Sequence, residues 1–385
     1  MRLLPLFIFW CLWYLNFSTR TAFSPILPLI EDNLSLSHGA AGGFFTSLSI
    51  GFSLSLLLAG RLASVWGYKK TVVIGFMGIG LVFFGIQWIE SYFTFHILFF
   101  LLGMATGTYI PPILPIITET YDYRHWGKVI GFHDSAGSFS IFSIPILFAF
   151  ALNFLSWRRL LLILGIAALL LPICFWKISV EPKIEMSRHK GRYIDLFKKK
   201  TVWIMGLFSI FASCSSMGVF AILPLYLIKE RGIDFSYANT LLGISRIGGV
   251  FVSILSGYLI DRYGYRRMIV LSLCSTGLST IGLSLASTLP LILITLILQA
   301  TLSVAYYPAS FAAISKLTPL QERSMATGVI FSIGVAFGMG TTPFLLGVIA
   351  DHFNFQIGIF WLGVLITLSP LLVRFLEEGD GRKET

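Results

Sequence analysis

Gly257-Tyr258-Leu259-Ile260-Asp261-Arg262-Tyr263-Gly264-Tyr265-Arg266-Arg267 is a short basic segment, punctuated by glycine, between two apolar runs that are each long enough to cross a bilayer. An earlier segment, Gly60-Arg61-Leu62-Ala63-Ser64-Val65-Trp66-Gly67-Tyr68-Lys69-Lys70, has the same build and the same flanks. From Gly60 to Gly257 is 197 residues. The pair predicts a chain of two similar halves, each with the same basic turn at the same place.

Composition agrees. The chain has 385 residues and only 12% charged side chains, against about 25% in soluble proteins, and its mean hydropathy is +0.84. Apolar runs of about 20 residues recur along the whole length, which predicts an all-α polytopic membrane protein. The runs are continuous rather than alternating, so a barrel is excluded. The net charge of +10 would suggest nucleic acid on a soluble protein. Here the bases lie in short loops, so they report orientation and contact with membrane lipid, and no nucleic-acid partner is expected. Cys11, Cys174, Cys214 and Cys274 fall inside apolar spans without metal-ligand spacing. They read as buried small hydrophobes, and neither a metal nor a cofactor is expected. The first ten residues imitate a signal peptide. The apolar run continues to about Ile30 with no small-x-small cleavage site, so it reads as a first span. The sequon Asn16-Phe17-Ser18 lies at membrane depth and is disregarded.

Twelve spans are expected, at about 4–29, 38–59, 71–89, 94–117, 127–151, 158–177, 201–228, 237–259, 268–286, 289–312, 325–349 and 357–376. They divide into a six-helix bundle at 1–177, a linker at 178–200, a second six-helix bundle at 201–376 and a tail at 377–385. The linker carries Lys183, Arg188, Lys190, Arg192, Lys198, Lys199 and Lys200. With the N-terminus inside, 22 of the 28 bases lie in cytoplasmic segments and 4 in outer loops. That asymmetry predicts a multi-pass protein of a bacterial-type inner membrane with both termini and the linker cytoplasmic.

The duplication holds residue by residue. At an offset of 197, Gly60, Leu62, Gly67 and Tyr68 meet Gly257, Leu259, Gly264 and Tyr265, and Tyr109, Pro111 and Gly131 meet Tyr306, Pro308 and Gly328. Near the start the offset is 196, where Leu27-Pro28-Leu29 meets Leu223-Pro224-Leu225. Internal repeats of this kind mark secondary transporters, with the substrate site between the repeats. Twelve spans, a long central loop and the repeated basic turn resemble the major facilitator superfamily, whose signature turn reads Gly-x-Leu-Ala-Asp-Arg-x-Gly-Arg-Lys-Arg. The second copy matches at Gly257, Leu259, Asp261, Arg262, Gly264, Arg266 and Arg267; the first departs, with Ser64 and Val65 where the acid and the first arginine belong. The resemblance covers nearly the whole chain. It implies a fold of two pseudo-symmetric six-helix bundles, a cavity lined by spans 1, 4, 7 and 10, and a cytoplasmic gate in which the turn latches the halves in one conformation.

The candidate gate residues are Gly60, Gly67, Gly257, Asp261, Arg262 and Arg266, with Glu119 at the inner end of span 4 as a partner for Arg124 or Lys128. Gly60 and Gly257 are expected to allow close exit of the chain beside a neighbouring helix, and Asp261 to accept from backbone N–H groups at a helix start. Alternatively the turns are solvated basic loops that only enforce topology, a reading favoured for the first copy. The pairs Gly103/Gly107, Gly127/Gly131 and Gly334/Gly338 have the spacing of close helix packing. Prolines in spans 1, 4, 7 and 10, at Pro25, Pro28, Pro111, Pro112, Pro115, Pro224 and Pro308, predict bends at matched places.

Ionisable residues at membrane depth are the main functional signal, because each is costly unless it faces a cavity or a partner. Arg20 lies roughly 24 Å into span 1, Arg246 roughly 15 Å into span 8, and Asp134 roughly 12 Å into span 5 beside His133. Two arginines against one acid favour an anionic substrate, which guanidinium binds bidentately. Arg20 and Arg246 are thus the candidate substrate anchors, with Tyr109, Tyr306 and Tyr307 as pocket residues and Asp134 and His133 as the proton-coupling pair. Each has a bland alternative: an Arg20–Asp134 structural pair, a snorkelling Arg246, a hydrogen-bonded core His133, and tyrosines that only pack. Asn16-x-x-x-Arg20 is similar to a pattern in organic-anion and lysolipid carriers of the superfamily. His133-Asp134-Ser135-Ala136-Gly137 lacks the Gly-Pro pair of its drug/proton antiporters.

No nucleotide-binding glycine loop, metal cluster or soluble domain is present in the sequence, so no catalytic residue is assigned and an enzyme is not expected. The expectation is a monomeric secondary transporter, proton-coupled and working by alternating access, for a small organic anion or zwitterion. The alternatives are an exporter of lipophilic or cationic compounds, with Asp134 as counter-ion, and a non-transporting membrane sensor.

Overall fold

A computed structural model describes residues 3–182, 193–319 and 322–376. Lys183, Arg188, Lys190 and Arg192 of the expected linker, and the tail at 377–385, lie outside the described residues. Among the described residues there is no strand, and the helices make twelve crossings. Ten are long and apolar enough to span a bilayer by length and composition: span 2 His38–Trp66, span 3 Tyr68–Trp88, span 4 Tyr92–Thr120, span 5 Tyr123–Ala151, span 6 Trp157–Ile178, span 7 Lys200–Glu230, span 9 Tyr265–Leu285, span 10 Leu289–Leu317, span 11 Met325–His352 and span 12 Phe355–Phe375. The other two are each laid down as two helices. Span 1 is Leu3–Thr21 continued by Phe23–Leu34, and span 8 is Phe235–Ile244 continued by Gly248–Tyr263. Their breaks, at Ala22 and at Ser245–Ile247, lie beside Arg20 and Arg246.

Local chemistry explains the interruptions. Pro25 has no N–H for the Thr21 carbonyl, so span 1 breaks one turn ahead of it. Span 8 breaks just before Gly248-Gly249, where a Cβ on Gly248 would stand 2.2 Å from Thr301 Oγ1 of span 10. Span 7 widens to π-helical turns at Cys214–Gly218 and Tyr226–Glu230, which turn backbone carbonyls out of the helix ladder. Spans 2, 6, 8 and 12 start at one end of the bundle on polar caps. Ser37, Ser156, Asp234 and Asn354 accept from Ala40, Arg159, Tyr237 and Ile357 respectively.

The basic turns differ from expectation. A Cβ on Gly60 or Gly257 would meet nothing within 4 Å, so neither serves close packing here. The turn itself depends on Gly67 (φ 97°, ψ 146°) and Gly264 (φ 81°, ψ 156°), a backbone region essentially reserved for glycine. In the first copy the acid missing from the sequence comes from elsewhere. The Glu181 carboxylate, just beyond span 6, accepts from Tyr68 N at 2.6 Å and Lys69 N at 3.1 Å and so caps span 3. Asp261 sits exposed in the last turn of its helix and accepts no backbone N–H among the described residues, contrary to the helix-start role expected of it.

The repeat is visible in equivalent bonds. Tyr109 donates to the Phe9 carbonyl at 3.2 Å, and Tyr306 donates to the Met205 carbonyl at 3.5 Å. Gly51 lies against Phe100 and Met104 of span 4, as Gly248 lies against Thr301 of span 10. Spans 4 and 10 both bend, at Thr108–Tyr109 and Ser303–Ala305, just ahead of their prolines.

The halves meet along spans 2 and 11 as far as Ser53, whose Oγ donates to the Ser332 carbonyl at 3.1 Å, and at the end away from the basic turns. There Ser24 Oγ donates to the Phe220 carbonyl at 2.6 Å. Pro224 cannot supply the N–H that this carbonyl would otherwise receive. Asp32 pairs with Lys229. Asp351 of span 11 accepts from His38 N (2.8 Å) and Gly39 N (2.9 Å) at the start of span 2, and His38 Nδ1 lies 2.8 Å from Glu31. Backbones approach through glycine. A Cβ on Gly42 would stand 2.3 Å from the Pro343 carbonyl oxygen, and one on Gly347 would stand 2.4 Å from that of His38. Toward the basic-turn end, Gly127, Gly131 and Gly328 have open space where a Cβ would go. The Gly103/Gly107 and Gly334/Gly338 pairs do serve close packing, whereas Gly127/Gly131 does not. Large apolar side chains such as Leu81, Phe93, Phe150 and Leu170 are exposed, as lipid-facing residues are. Of the four cysteines, only Cys214 is buried, and Cys174 is exposed.

Candidate functional site

Span 1 has one stripe, Trp13, Phe17, Arg20 and Thr21, whose spacing of four, three and one puts all four on a single helix face. That face forms part of the wall of a cavity between the halves of about 280 Å³. Phe45 and Phe52 of span 2 continue the wall on the same half. The other half answers with Met217, Phe220 and Ala221 from the first wide turn of span 7 and just beyond it, Tyr307 from span 10, and Val335 and Met339 from the wide turn of span 11.

Arg20 is the one charged group on this wall. It is 8% exposed, and its Nε has no hydrogen-bond partner. Its guanidinium carbon lies 4.6 Å from the Phe17 ring centre, 4.4 Å from Phe52 and 5.9 Å from Trp13. These contacts let ring faces, rather than an acid, stabilise the cation. Asp134 does not pair with it: that side chain is exposed and makes no ion pair among the described residues. The Arg20–Asp134 pair considered from sequence is therefore absent from this conformation.

Arg246 stands behind the wall. Its Nη2 donates to the Ser216 carbonyl at 3.1 Å, one of the carbonyls turned out by the wide turn of span 7. Its guanidinium lies over the Phe220 ring at 4.8 Å, and its Nε is unpaired. Gln299 of span 10 bonds the neighbouring Ser215 carbonyl at 2.8 Å, and the Tyr307 hydroxyl is 2.6 Å from Ser216 Oγ.

Tyr109 and Tyr306 are each 1% exposed and do not reach the cavity. Tyr109 clusters with Trp13 (5.5 Å) and His133 (5.9 Å), which are themselves 5.8 Å apart. Its hydroxyl lies 3.2 Å from the Phe9 carbonyl and 3.0 Å from His133 Nε2. His133 is buried, and this contact ties span 5 to span 4. Asn16 bonds the Thr106 carbonyl of span 4 at 3.1 Å. Spans 1 and 5 are joined by Trp10–Ser135 (3.1 Å) and Ser18–Ser140 (3.0 Å), and Gly137 lies against Trp13 and Phe17.

The gate candidates lie at the open end. Arg262 lies over its neighbour Tyr263 at 5.4 Å, and Arg266 donates to the Leu376 carbonyl at 2.7 Å. Glu119 is exposed and makes no ion pair with Arg124 or Lys128. The aromatic wall was missed from sequence because a phenylalanine on a span has no label for face. The signal available was the stripe Trp13, Phe17, Arg20, in which the rings share the face of a buried cation.

Comparison with known proteins fits this geometry. A sequence profile described as Major Facilitator Superfamily matches residues 9–258 and 205–385. The chain is similar to a hexuronate transporter of Bacillus subtilis (strain 168), 26% identical over 66% of this chain and 63% of that protein. It is similar to a gallate transporter of Pseudomonas putida, 22% identical over 68% and 66%. In both, the match spans just under two thirds of the relative's length. Among solved structures, a D-xylose-proton symporter superimposes with a TM-score of 0.83 at 17% identity over 100% of both chains, a likeness of fold.

Proposed function

The chain belongs to the Major Facilitator Superfamily, and from that premise we propose that it is a secondary active carrier of a small organic anion or zwitterion. One observation carries this reading: a buried guanidinium, Arg20, with no acid and no hydrogen-bond partner among the described residues, on the wall of a cavity between two pseudo-symmetric bundles. A cation kept at such depth without a fixed partner leaves its donors for a ligand. Arg246 adds positive potential one layer behind the wall. The names of the hexuronate and gallate relatives point to acidic cargo as well.

In this reading the basic turns face the cytoplasm, because the bases concentrate there, and the protein is a monomer with six spans on either side of a linker at 178–200. The structure then represents the state open to the inside. Asp261, Arg262, Arg266 and Glu119 are the inner gate, and they engage across the halves when the halves rock the other way. Asp134, exposed on span 5, is the proton-coupling group, while His133, in contact with Tyr109, holds span 5 in place. Uptake into proteoliposomes tests the reading. Arg20→Gln is expected to raise the half-saturating concentration of an anionic substrate at least about tenfold, and Arg246→Gln is expected to raise it less. Asp134→Asn is expected to leave binding intact and to abolish accumulation driven by a pH gradient. Unchanged affinity in both arginine variants would remove them from the site. A second reading, export of lipophilic compounds, is favoured by the apolar majority of the wall; a resistance assay on overexpressing cells separates the two.

A further inference from the structure

We infer that the carried anion is aromatic: a planar ring system bearing a single carboxylate, held by Arg20 with its ring between the aromatic side chains of span 1, span 2 and span 7. This deepens the anion-carrier reading and rests on it. The wall has one formal charge and no acid, so it matches one carboxylate and leaves a second anionic group, or an ammonium, without a partner. The guanidinium is already flanked by the faces of Phe17 and Phe52. A carboxylate joined directly to a ring, once docked on its edge, therefore brings that ring alongside theirs.

The remaining polar groups on the wall are committed. Thr21 Oγ1 donates back to the Phe17 carbonyl at 3.2 Å, and the Tyr307 hydroxyl is held at 2.6 Å by Ser216. A sugar acid would bring several hydroxyls into the cavity and find few free partners, leaving polar groups desolvated and unpaired. A ring asks only for dispersion and edge-to-face contact. Phe220 supplies these from the opposite half, and Met217 and Met339 add adaptable, polarizable sulfur. A cavity of about 280 Å³ accepts one ring or a fused pair.

The test is titration calorimetry on the full-length protein in nanodiscs, using benzoate, cyclohexanecarboxylate, glucuronate and benzamide as probes. Benzoate is expected to bind saturably. Glucuronate and benzamide are expected to bind at least about tenfold more weakly, and cyclohexanecarboxylate about threefold more weakly. Arg20→Gln should erase the preference for benzoate over benzamide, and Phe52→Leu should erase only the preference over cyclohexanecarboxylate. Arg20→Lys, which keeps the charge, should retain part of the benzoate–benzamide gap, and it stands in for Arg20→Gln should that variant fail to fold in a thermal melt. The failures are distinguishable. Glucuronate binding as tightly as benzoate, with both lost in Arg20→Gln, overturns the aromatic assignment and leaves the anion carrier standing. Benzamide binding as tightly as benzoate overturns the anion carrier itself. Absence of saturable benzoate binding at millimolar concentration overturns the aromatic assignment.

Discussion

Ser24→Ala should open the closed end of the protein, and the size of the effect follows from one hydrogen bond. Pro224 leaves the Phe220 carbonyl without its intrahelical donor, and the Ser24 hydroxyl of the opposite half fills it at 2.6 Å with both residues buried. When the halves separate at this end, both groups meet water, so the bond stabilises only the closed arrangement. Side-chain hydrogen bonds between membrane helices contribute about 0.6 kcal/mol on average and up to about 1.7. The upper figure applies where the alternative is a stranded carbonyl in a dry interface. At about 1.4 kcal/mol per factor of ten, Ser24→Ala should shift the population toward the state open at this end by roughly 3- to 17-fold. The readout is a pair of spin-label distances in a background with the native cysteines replaced, Asn33/His352 across the closed end and Val65/Tyr263 across the open end. Pro224→Ala supplies the control, because it restores the N–H that Phe220 lacks and makes the Ser24 hydroxyl redundant. The double variant should therefore lie close to Pro224→Ala alone. If Ser24→Ala shifts the distances equally with proline or alanine at 224, the carbonyl is not what Ser24 serves and the reasoning fails.

Three further outcomes follow from the same geometry. Gly42→Ala puts a Cβ 2.3 Å from the Pro343 carbonyl oxygen, backbone that cannot step aside. It should cost the closed end about 1–3 kcal/mol, seen as a lengthened Asn33/His352 distance, while Gly60→Ala, which meets nothing within 4 Å, should be silent. Asp351→Asn removes a charge from the start of span 2 while keeping one acceptor for the His38 and Gly39 N–H groups. A loss of about 0.3–1 kcal/mol should appear as a roughly 2- to 5-fold shift in the population with the longer Asn33/His352 distance, smaller in high salt. Gly264→Ala forces a side chain into φ 81°, ψ 156°, at about 1–3 kcal/mol. It should lower the melting temperature, and Gly67→Ala should do so comparably.

The fold was legible because its determinants are local or periodic. Apolar run length, basic loops and an offset of 197 residues require no knowledge of which face of a helix points where. Arg20 was legible as an anomaly, since a cation at that depth needs a reason. Faces and tertiary partners were not legible. Nothing in the sequence separates Tyr307, on the wall, from Tyr306, which lies in the core one residue earlier. Nor does it show that Gly60 faces open space while Gly42 touches backbone. The part played by Glu181 was hidden because its partner, the start of span 3, lies 113 residues earlier in the chain.

The repeat also divides scaffold residues from cavity-lining ones. Where the halves agree, the residues hold the scaffold: Tyr109 and Tyr306 reach equivalent carbonyls, Gly51 and Gly248 seat equivalent helices, and Gly137 and Gly334 lie against equivalent points of spans 1 and 7. Where the halves differ, the residues build the cavity. Arg20 corresponds to Ser216, Phe52 to Gly249, Phe17 to Ser213 and Tyr307 to Ile110. In the anion-carrier reading, a small asymmetric ligand meets unequal surfaces in the two halves, and these differing residues supply them. Arg246 fits the same rule from the other side. Its counterpart is Ser49, and its guanidinium bonds the carbonyl of Ser216, the residue that stands where the first half has Arg20. One half therefore presents its cation to the cavity, and the other half ties its own back to the wide turn of span 7. That inequality gives the pocket a charged side and an apolar side, which is what an anion with one polar end requires.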